Sequence, residues 1–175
     1  MKVFGLAGFS GSGKTTLMVR LLPIIVARGL TVSTVKHAHH AFDVDQPGKD
    51  SFEHRAAGAS EVMVSSTQRW ALMHEHRDGP EADLDDLLTR MSPVDLVLVE
   101  GFKRSAHDKL EVVRGNDAAP TLWGSDPRVV ALASDRTWPA VTCPVLSLDD
   151  PTGIAAFILR HCALDAGTGT APRKP

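Results

Sequence analysis

Cysteine is scarce. Cys143 and Cys162 are the only two in 175 residues, and their spacing matches neither a zinc site nor a redox pair. A disulfide framework is thereby excluded, and a reduced, cytoplasmic setting is expected. An excess of charge of one sign is also missing. Nineteen Lys and Arg stand against 21 Asp and Glu, a formal net charge of −2. That balance gives no long-range attraction for nucleic acid or for an anionic membrane, so neither is expected as a partner. No apolar run approaches the roughly 18 residues of a membrane span, and the first short one, residues 3–7, breaks at Gly8. Internal repeats and low-complexity blocks are absent as well.

What is there is an ordinary globular composition, 43% hydrophobic and 23% charged, long enough for a full α/β core without staples. Strand and helix signals alternate from the start, which predicts a mostly parallel sheet flanked by helices. Residues 2–7 read as a strand, and 14–28 as a helix ended by Gly29 and kinked or broken at Pro23. Residues 31–36, rich in β-branched side chains, read as a second strand that completes a βαβ unit. A polar stretch follows, then a short helix over 51–58 with Asp50 or Ser51 as its N-cap. Residues 61–65 and 69–73 read as an apolar hairpin inserted about positions 61–73, and 81–91 as a helix. Residues 95–100 form a continuous apolar run ending in an acid, the pattern of a buried central strand. Further strands are expected at 109–114, 129–134 and 145–148, and a last helix from Pro151 to about 162. One domain over 1–164 and a mobile tail over 165–175 complete the reading.

The chemistry starts at Gly8-Phe9-Ser10-Gly11-Ser12-Gly13-Lys14-Thr15, which has the form G-x-x-x-x-G-K-T between a strand and a helix. Triphosphate oxygens need many donors at close range with no Cβ in the way. Gly8, Gly11 and Gly13, with Ser10 and Ser12 between them, let the backbone wrap a β-phosphate with N–H groups. The helix that opens at Lys14, Thr15 and Thr16 adds its positive dipole end. Lys14 is placed to bridge the β- and γ-phosphates, and the Thr15 hydroxyl to ligate Mg²⁺. The fold class is therefore α/β, of the P-loop NTPase kind. Such a loop needs an acid at the tip of a neighbouring strand to hold the metal's shell, and Glu100 ends the run 95–100. Asp is the usual residue there.

Asp45, Lys49, Asp50 and Ser51 lie after the second strand, where such proteins place a segment that reads the γ-phosphate. The same residues also suit a solvated polar loop. His37, His39 and His40 raise a metal hypothesis, with a polar rim of the nucleotide pocket as its rival. A guanine-reading Asn-Lys-x-Asp is impossible, because Asn116 is the only asparagine and no lysine follows it. The end of the strand 129–134 supplies the remaining candidates for the base, Ser134 and Asp135, since an Asp can accept both guanine N1–H and N2–H₂.

Taken together, 11–16 (Gly-Ser-Gly-Lys-Thr-Thr), 35–40 (Val-Lys-His-Ala-His-His), 43–51 (through Pro-Gly-Lys-Asp-Ser), 57–59 (Ala-Gly-Ala), 68–72 (Gln-Arg-Trp-Ala-Leu) and 99–103 (Val-Glu-Gly-Phe-Lys) resemble the MobB family of bacteria. These are the molybdopterin-guanine dinucleotide biosynthesis adapter proteins. The resemblance runs from the N-terminus to about residue 160, and the segments outside the phosphate loop make it specific. It implies a GTP-binding homodimer with slow intrinsic GTP hydrolysis and bound Mg²⁺. Its partners would be the guanylyltransferase MobA and molybdopterin, and its function molybdenum cofactor biosynthesis. Guanine preference rests on the resemblance alone. Two other functions fit a phosphate loop of this kind: a small-molecule kinase, for which no Arg-rich lid is visible, and a metallochaperone GTPase using the histidine cluster.

Overall fold

The computed structural model describes residues 1–38, 42–115 and 121–165. They form two compact units. One joins Met1–His37 to the chain from Arg90 onward, and the other spans Ala38–Thr89.

The first unit is built on six strands: β1 (Lys2–Ala7), β2 (Val32–Lys36), β5 (Leu96–Glu100), β6 (Lys109–Val113), β7 (Val129–Ser134) and β8 (Val145–Ser147). All run parallel, in the order β2-β5-β1-β6-β7-β8. The βαβ unit expected at the N-terminus therefore skips a strand, because β5 lies between β1 and β2. Burial explains the order. Leu96–Glu100 is buried at every position, which only an interior strand can satisfy, whereas Val32–Lys36 keeps exposed positions and takes the edge.

Helices α1 (Lys14–Val26) and α4 (Pro151–His161) pack together on one face of this sheet. Phe4, Leu6, Leu96, Leu98, Leu110 and Val112 point toward that face, where they meet Leu17, Leu21 and Ile25 of α1 and Ile154 and Ile158 of α4. Large side chains buried this completely cost about 2–5 kcal/mol each when cut back to alanine. α4 begins as its sequence demands. The Asp150 carboxylate accepts from Gly153 N at 2.8 Å, and Pro151 stands at N1. On the opposite face Val113, Val129 and Leu132 form a smaller cluster with Leu122, Trp123 and Trp138. A register shift between Lys109 and Leu110 opposite β7 puts Val129 on this second face.

Pro23 does not break α1, and Ala27 N still bonds to Pro23 O at 2.9 Å. Val19, whose carbonyl lacks an i+4 donor because of the ring, is 64% exposed, so the missing bond does not fall in the core. The helix ends at Val26, two residues short of the expectation, and Gly29 falls in the turn beyond it with φ 81°.

The second unit holds α2 (Asp50–Ala56), the antiparallel pair β3 (Glu61–Ser65) and β4 (Trp70–His74), and α3 (Leu84–Thr89). Neither expected N-cap serves α2. Lys49 takes that position without a side-chain bond, because the Ser51 hydroxyl is committed to Asp45 Oδ1 at 2.9 Å. α3 is shorter than 81–91, because the Asp83 carboxylate caps Asp86 N at 2.9 Å and fixes the start there. The second strand of the hairpin starts one residue late, since Arg69 O closes the turn by accepting from Ser66 N. No helix among the described residues is long and apolar enough to cross a membrane. The expected tail over 165–175 falls, from 166 on, outside the described residues.

Candidate functional site

The loop 8–13 leaves the carboxyl end of β1 with β5 on one side and β6 on the other. Ligands of open α/β sheets sit at such a crevice. Gly8 has φ 138°, and a Cβ there would come within 2.5 Å of Val112 O, so the loop must pass β6 bare. Gly13 has φ 98° and caps α1 with no side-chain hydrogen bond, which leaves the first N–H groups of the helix available to an anion. Ser12 Oγ is buried in the loop with no hydrogen-bond partner among the described residues. A bare backbone, an uncapped helix start and an orphan hydroxyl together fit a phosphate group.

Lys14 folds back over the loop, and its ammonium donates to Phe9 O at 2.8 Å. Burial holds the pKa of Lys14 below that of an ordinary lysine. Glu100 works against this shift, while Lys103 and Lys36 add to it. Thr15 Oγ1 donates to Glu100 Oε1 at 2.6 Å. Lys36, at the tip of β2, brings its ammonium to 3.5 Å from the same oxygen. Two hard oxygens in contact suit Mg²⁺, which takes few protein ligands and completes its shell with water and phosphate. Glu100 is held from behind, since His37 N donates to its carbonyl at 2.9 Å. The next side chain but one, Phe102, adopts φ 45° and lies against the His37 ring with centroids 4.8 Å apart. A left-handed phenylalanine is strained, and such strain persists only where its surroundings impose it.

Sequence reasoning missed several residues. Arg114 follows β6 directly, and its Nε lies 3.1 Å from where a Gly13 Cβ would stand. The guanidinium thus rests over the phosphate loop, and no ion pair or hydrogen bond engages it among the described residues. A cation just past an apolar strand, at the carboxyl edge, is the signal that could have found it. Lys36 is a second case. Lys109 and Glu111, both on β6, are buried almost completely. Lys109 Nζ donates to Lys103 O, Ser105 O and Asp126 Oδ2 at 3.2, 3.1 and 2.9 Å. Burial opposes ionisation of Asp126, but the bonds from Lys109 and from Arg128 N, with the nearby positive charge, together outweigh it and hold the carboxyl below the usual range. The Glu111 carboxylate accepts from Leu122 N at 2.8 Å and from Trp123 N at 3.0 Å. Burial nevertheless pushes its pKa up.

The other expected site residues divide. Gly8, Ser10, Gly11, Ser12, Gly13, Lys14, Thr15 and Thr16 share the loop and first turn, with Glu100 against them. Asp45, Lys49, Asp50 and Ser51 belong to the second unit. There Asp45 accepts from Ser51 Oγ and from Gln46 N, and it lies 3.5 Å from Arg55 Nε. Arg55 also binds Asp43 at 2.7 Å and Glu75 at 2.9 Å, so three carboxylates occupy it. Ser134 is buried, with its hydroxyl accepting from Trp138 Nε1 at 2.9 Å, while Asp135 beside it is exposed. Of the histidine cluster, His39 and His40 lie outside the described residues. Among those described, no group of three His, Cys, Asp or Glu could hold a metal ion.

The chain matches the family model for molybdopterin guanine dinucleotide synthesis protein B, MobB, over residues 3–135. It is 45% identical over 156 residues to the molybdopterin-guanine dinucleotide biosynthesis adapter protein of Escherichia coli (strain K12), covering 87% of this chain and 89% of that one. With the protein of the same name from Haemophilus influenzae it shares 40% over 133 residues, or 76% and 74% of the two chains. The fold is similar to the crystal structure of a MobB homologue from Bacillus stearothermophilus. There the TM-score is 0.70 and the identity 28%, over 93% of this chain and 99% of the other. A second solved molybdopterin-guanine biosynthesis protein B gives TM-score 0.73 and 29% identity, over 91% and 99%.

Proposed function

The chain belongs to the MobB family, and from that premise we propose that it is a GTP-binding adapter in molybdopterin guanine dinucleotide synthesis, serving the guanylyltransferase MobA. The observation that carries the nucleotide part is the contact of Thr15 with Glu100 beside an uncapped, glycine-lined loop. In this reading the backbone of 8–13 takes the β-phosphate, and Lys14 exchanges Phe9 O for phosphate oxygens. Thr15 and Glu100 are the side chains that would hold Mg²⁺ and its hydration shell. Bound Mg²⁺ would neutralise charge on the β- and γ-phosphates. Arg114 adds a cation above Gly13.

Hydrolysis by the chain alone is slow. It needs a residue that positions water and a cation meeting the transition-state charge. The glutamines are Gln46 and Gln68, both in the second unit, and Arg55 is occupied by three carboxylates. Arg114 supplies a cation in this reading, but the loop, Thr15 and Glu100 include no residue that positions water. P-loop proteins lacking part of this set turn over at about 10⁻⁴–10⁻² per second, and a partner raises this by roughly 10³–10⁵. The chain also forms a homodimer through the hairpin β3–β4. Met63 pairs with Leu72 and Ser65 with Trp70 on one face, and Met63, Leu72 and Trp70 are exposed there. Single-turnover GTP hydrolysis with and without purified guanylyltransferase tests the adapter reading. Acceleration only with the partner supports it, and turnover above about one per second by the chain alone makes it an enzyme in its own right.

A further inference from the structure

Next to the phosphate loop, the first unit holds a cleft of ≈ 570 Å³ between Phe9, the segment from Lys103 to Ala106, Leu122 and the turn of Asp126 and Arg128. Its size falls in the range of small-molecule sites, about 300–1,000 Å³. Two features set it apart from a surface dent.

The first is how its walls are held. Lys109 and Glu111 stand at alternate positions of β6 on one face of the sheet, at 1% and 0% exposure. Burying charge is expensive unless each ion is fully bonded. Among the described residues, every side-chain hydrogen bond they make goes to a cleft wall or to its neighbour. Lys109 ties the carbonyls of Lys103 and Ser105 to the Asp126 carboxylate, and Glu111 ties down the N–H groups of Leu122 and Trp123. Two separate segments, 103–105 and 122–126, are thereby fixed before any ligand arrives, which is the preorganisation a binding site needs.

The second is charge. Asp126 is the carboxylate on the lining, and it is paired to Lys109 at 2.9 Å, while Arg128 is paired to Asp108 at 3.2 Å. That leaves Lys103 and Arg104. The Lys103 ammonium stands 4.5 Å from the centroid of the Phe9 ring, and Arg104 is exposed with no ion pair or hydrogen bond among the described residues. Two cations with no ion pair among the described residues match the two negative charges a phosphomonoester carries at neutral pH. The Phe9 ring, 39% exposed, and the Leu122 side chain offer an apolar surface on which a flat ring can lie.

We propose that this cleft is a second ligand site, separate from the phosphate loop, for a small organic phosphate that carries a flat ring. Phe9 belongs to both places, since its carbonyl takes the Lys14 ammonium and its ring lines the cleft. The inference does not need nucleotide in the loop. It is tested with flavin mononucleotide as probe, followed by quenching of its fluorescence on the full chain, with riboflavin as the control that lacks the phosphate. Saturable binding of flavin mononucleotide is expected, with riboflavin at least about tenfold weaker. A Lys103→Gln, Arg104→Gln double variant should weaken the flavin nucleotide at least about tenfold with an unchanged melting temperature. Lys14→Ala should bind it within about twofold of the parent, because the phosphate does not sit in the loop. The proposal is overturned by unsaturable quenching, by a double variant that binds like the parent, or by loss of binding in Lys14→Ala.

Discussion

Thr15 Oγ1 and Glu100 Oε1 lie 2.6 Å apart, joining the first turn of α1 to the tip of β5. In the proposed function these two side chains would hold the bound Mg²⁺, so their contact would be part of the binding equilibrium. Glu100→Gln keeps the shape and removes the charge. The expected outcome is a gain in GTP affinity on adding Mg²⁺ that is about tenfold smaller than in the parent, with metal-free affinity no weaker. Titrations with and without Mg²⁺ check this, and an undiminished Mg²⁺ effect would remove Glu100 from the metal's surroundings.

Arg114 rests over Gly13 with no ion pair or hydrogen bond among the described residues, so its removal has little there to destabilise. Arg114→Ala should melt with the parent and yet bind GTP about tenfold more weakly, the scale of one charged hydrogen bond of about 1.5–3 kcal/mol. Calorimetric titration beside a thermal melt separates the two effects. Equal affinity would mean that the guanidinium points past the ligand.

The hairpin carries Trp70 at 63% and Met63 at 62% exposure on one face. Static light scattering should return about twice the 18.8 kDa of the chain, and Trp70→Glu should return a monomer, because a charge in an apolar interface has no partner. A parent that is monomeric at micromolar concentration would rule the hairpin out as the interface.

We propose that Asp135, exposed just past the end of β7, reads the base, because a carboxylate accepts both donors of guanine and adenine lacks that pair. Asp135→Ala should lose preference for GTP over ATP while keeping affinity for the phosphates. Competition between the two nucleotides measures it, and an unchanged preference would move base reading to another segment. Ser134 is not varied for this purpose, since its hydroxyl serves the Trp138 indole.

The fold was legible because its signals are local. An apolar strand, a Gly-rich turn and a helix at residues 2–26 state their own order, and Leu96–Val99 declares itself interior by being apolar throughout. Strand order was less legible, because only the burial of β5 decides that it separates β1 from β2. The phosphate loop was readable from spacing, since its chemistry sits in eight consecutive residues. Arg114 and Lys36 were not, because they reach the loop from other strands through the sheet order. Lys109 and Glu111 were hidden for another reason. In sequence, Lys-Leu-Glu-Val-Val alternates like a half-exposed strand, and only the folded chain shows that its charged face is buried against loop backbone.

The central claim is that this chain holds GTP through its phosphate loop, and titration of parent and Lys14→Ala with GTP and ATP tests it most directly. Among the described residues the Lys14 ammonium donates only to Phe9 O, so the variant should fold. The account predicts that the parent binds GTP more tightly than ATP in Mg²⁺, and that the variant loses GTP affinity by about 10- to 100-fold. A folded variant that binds GTP as tightly as the parent would contradict it.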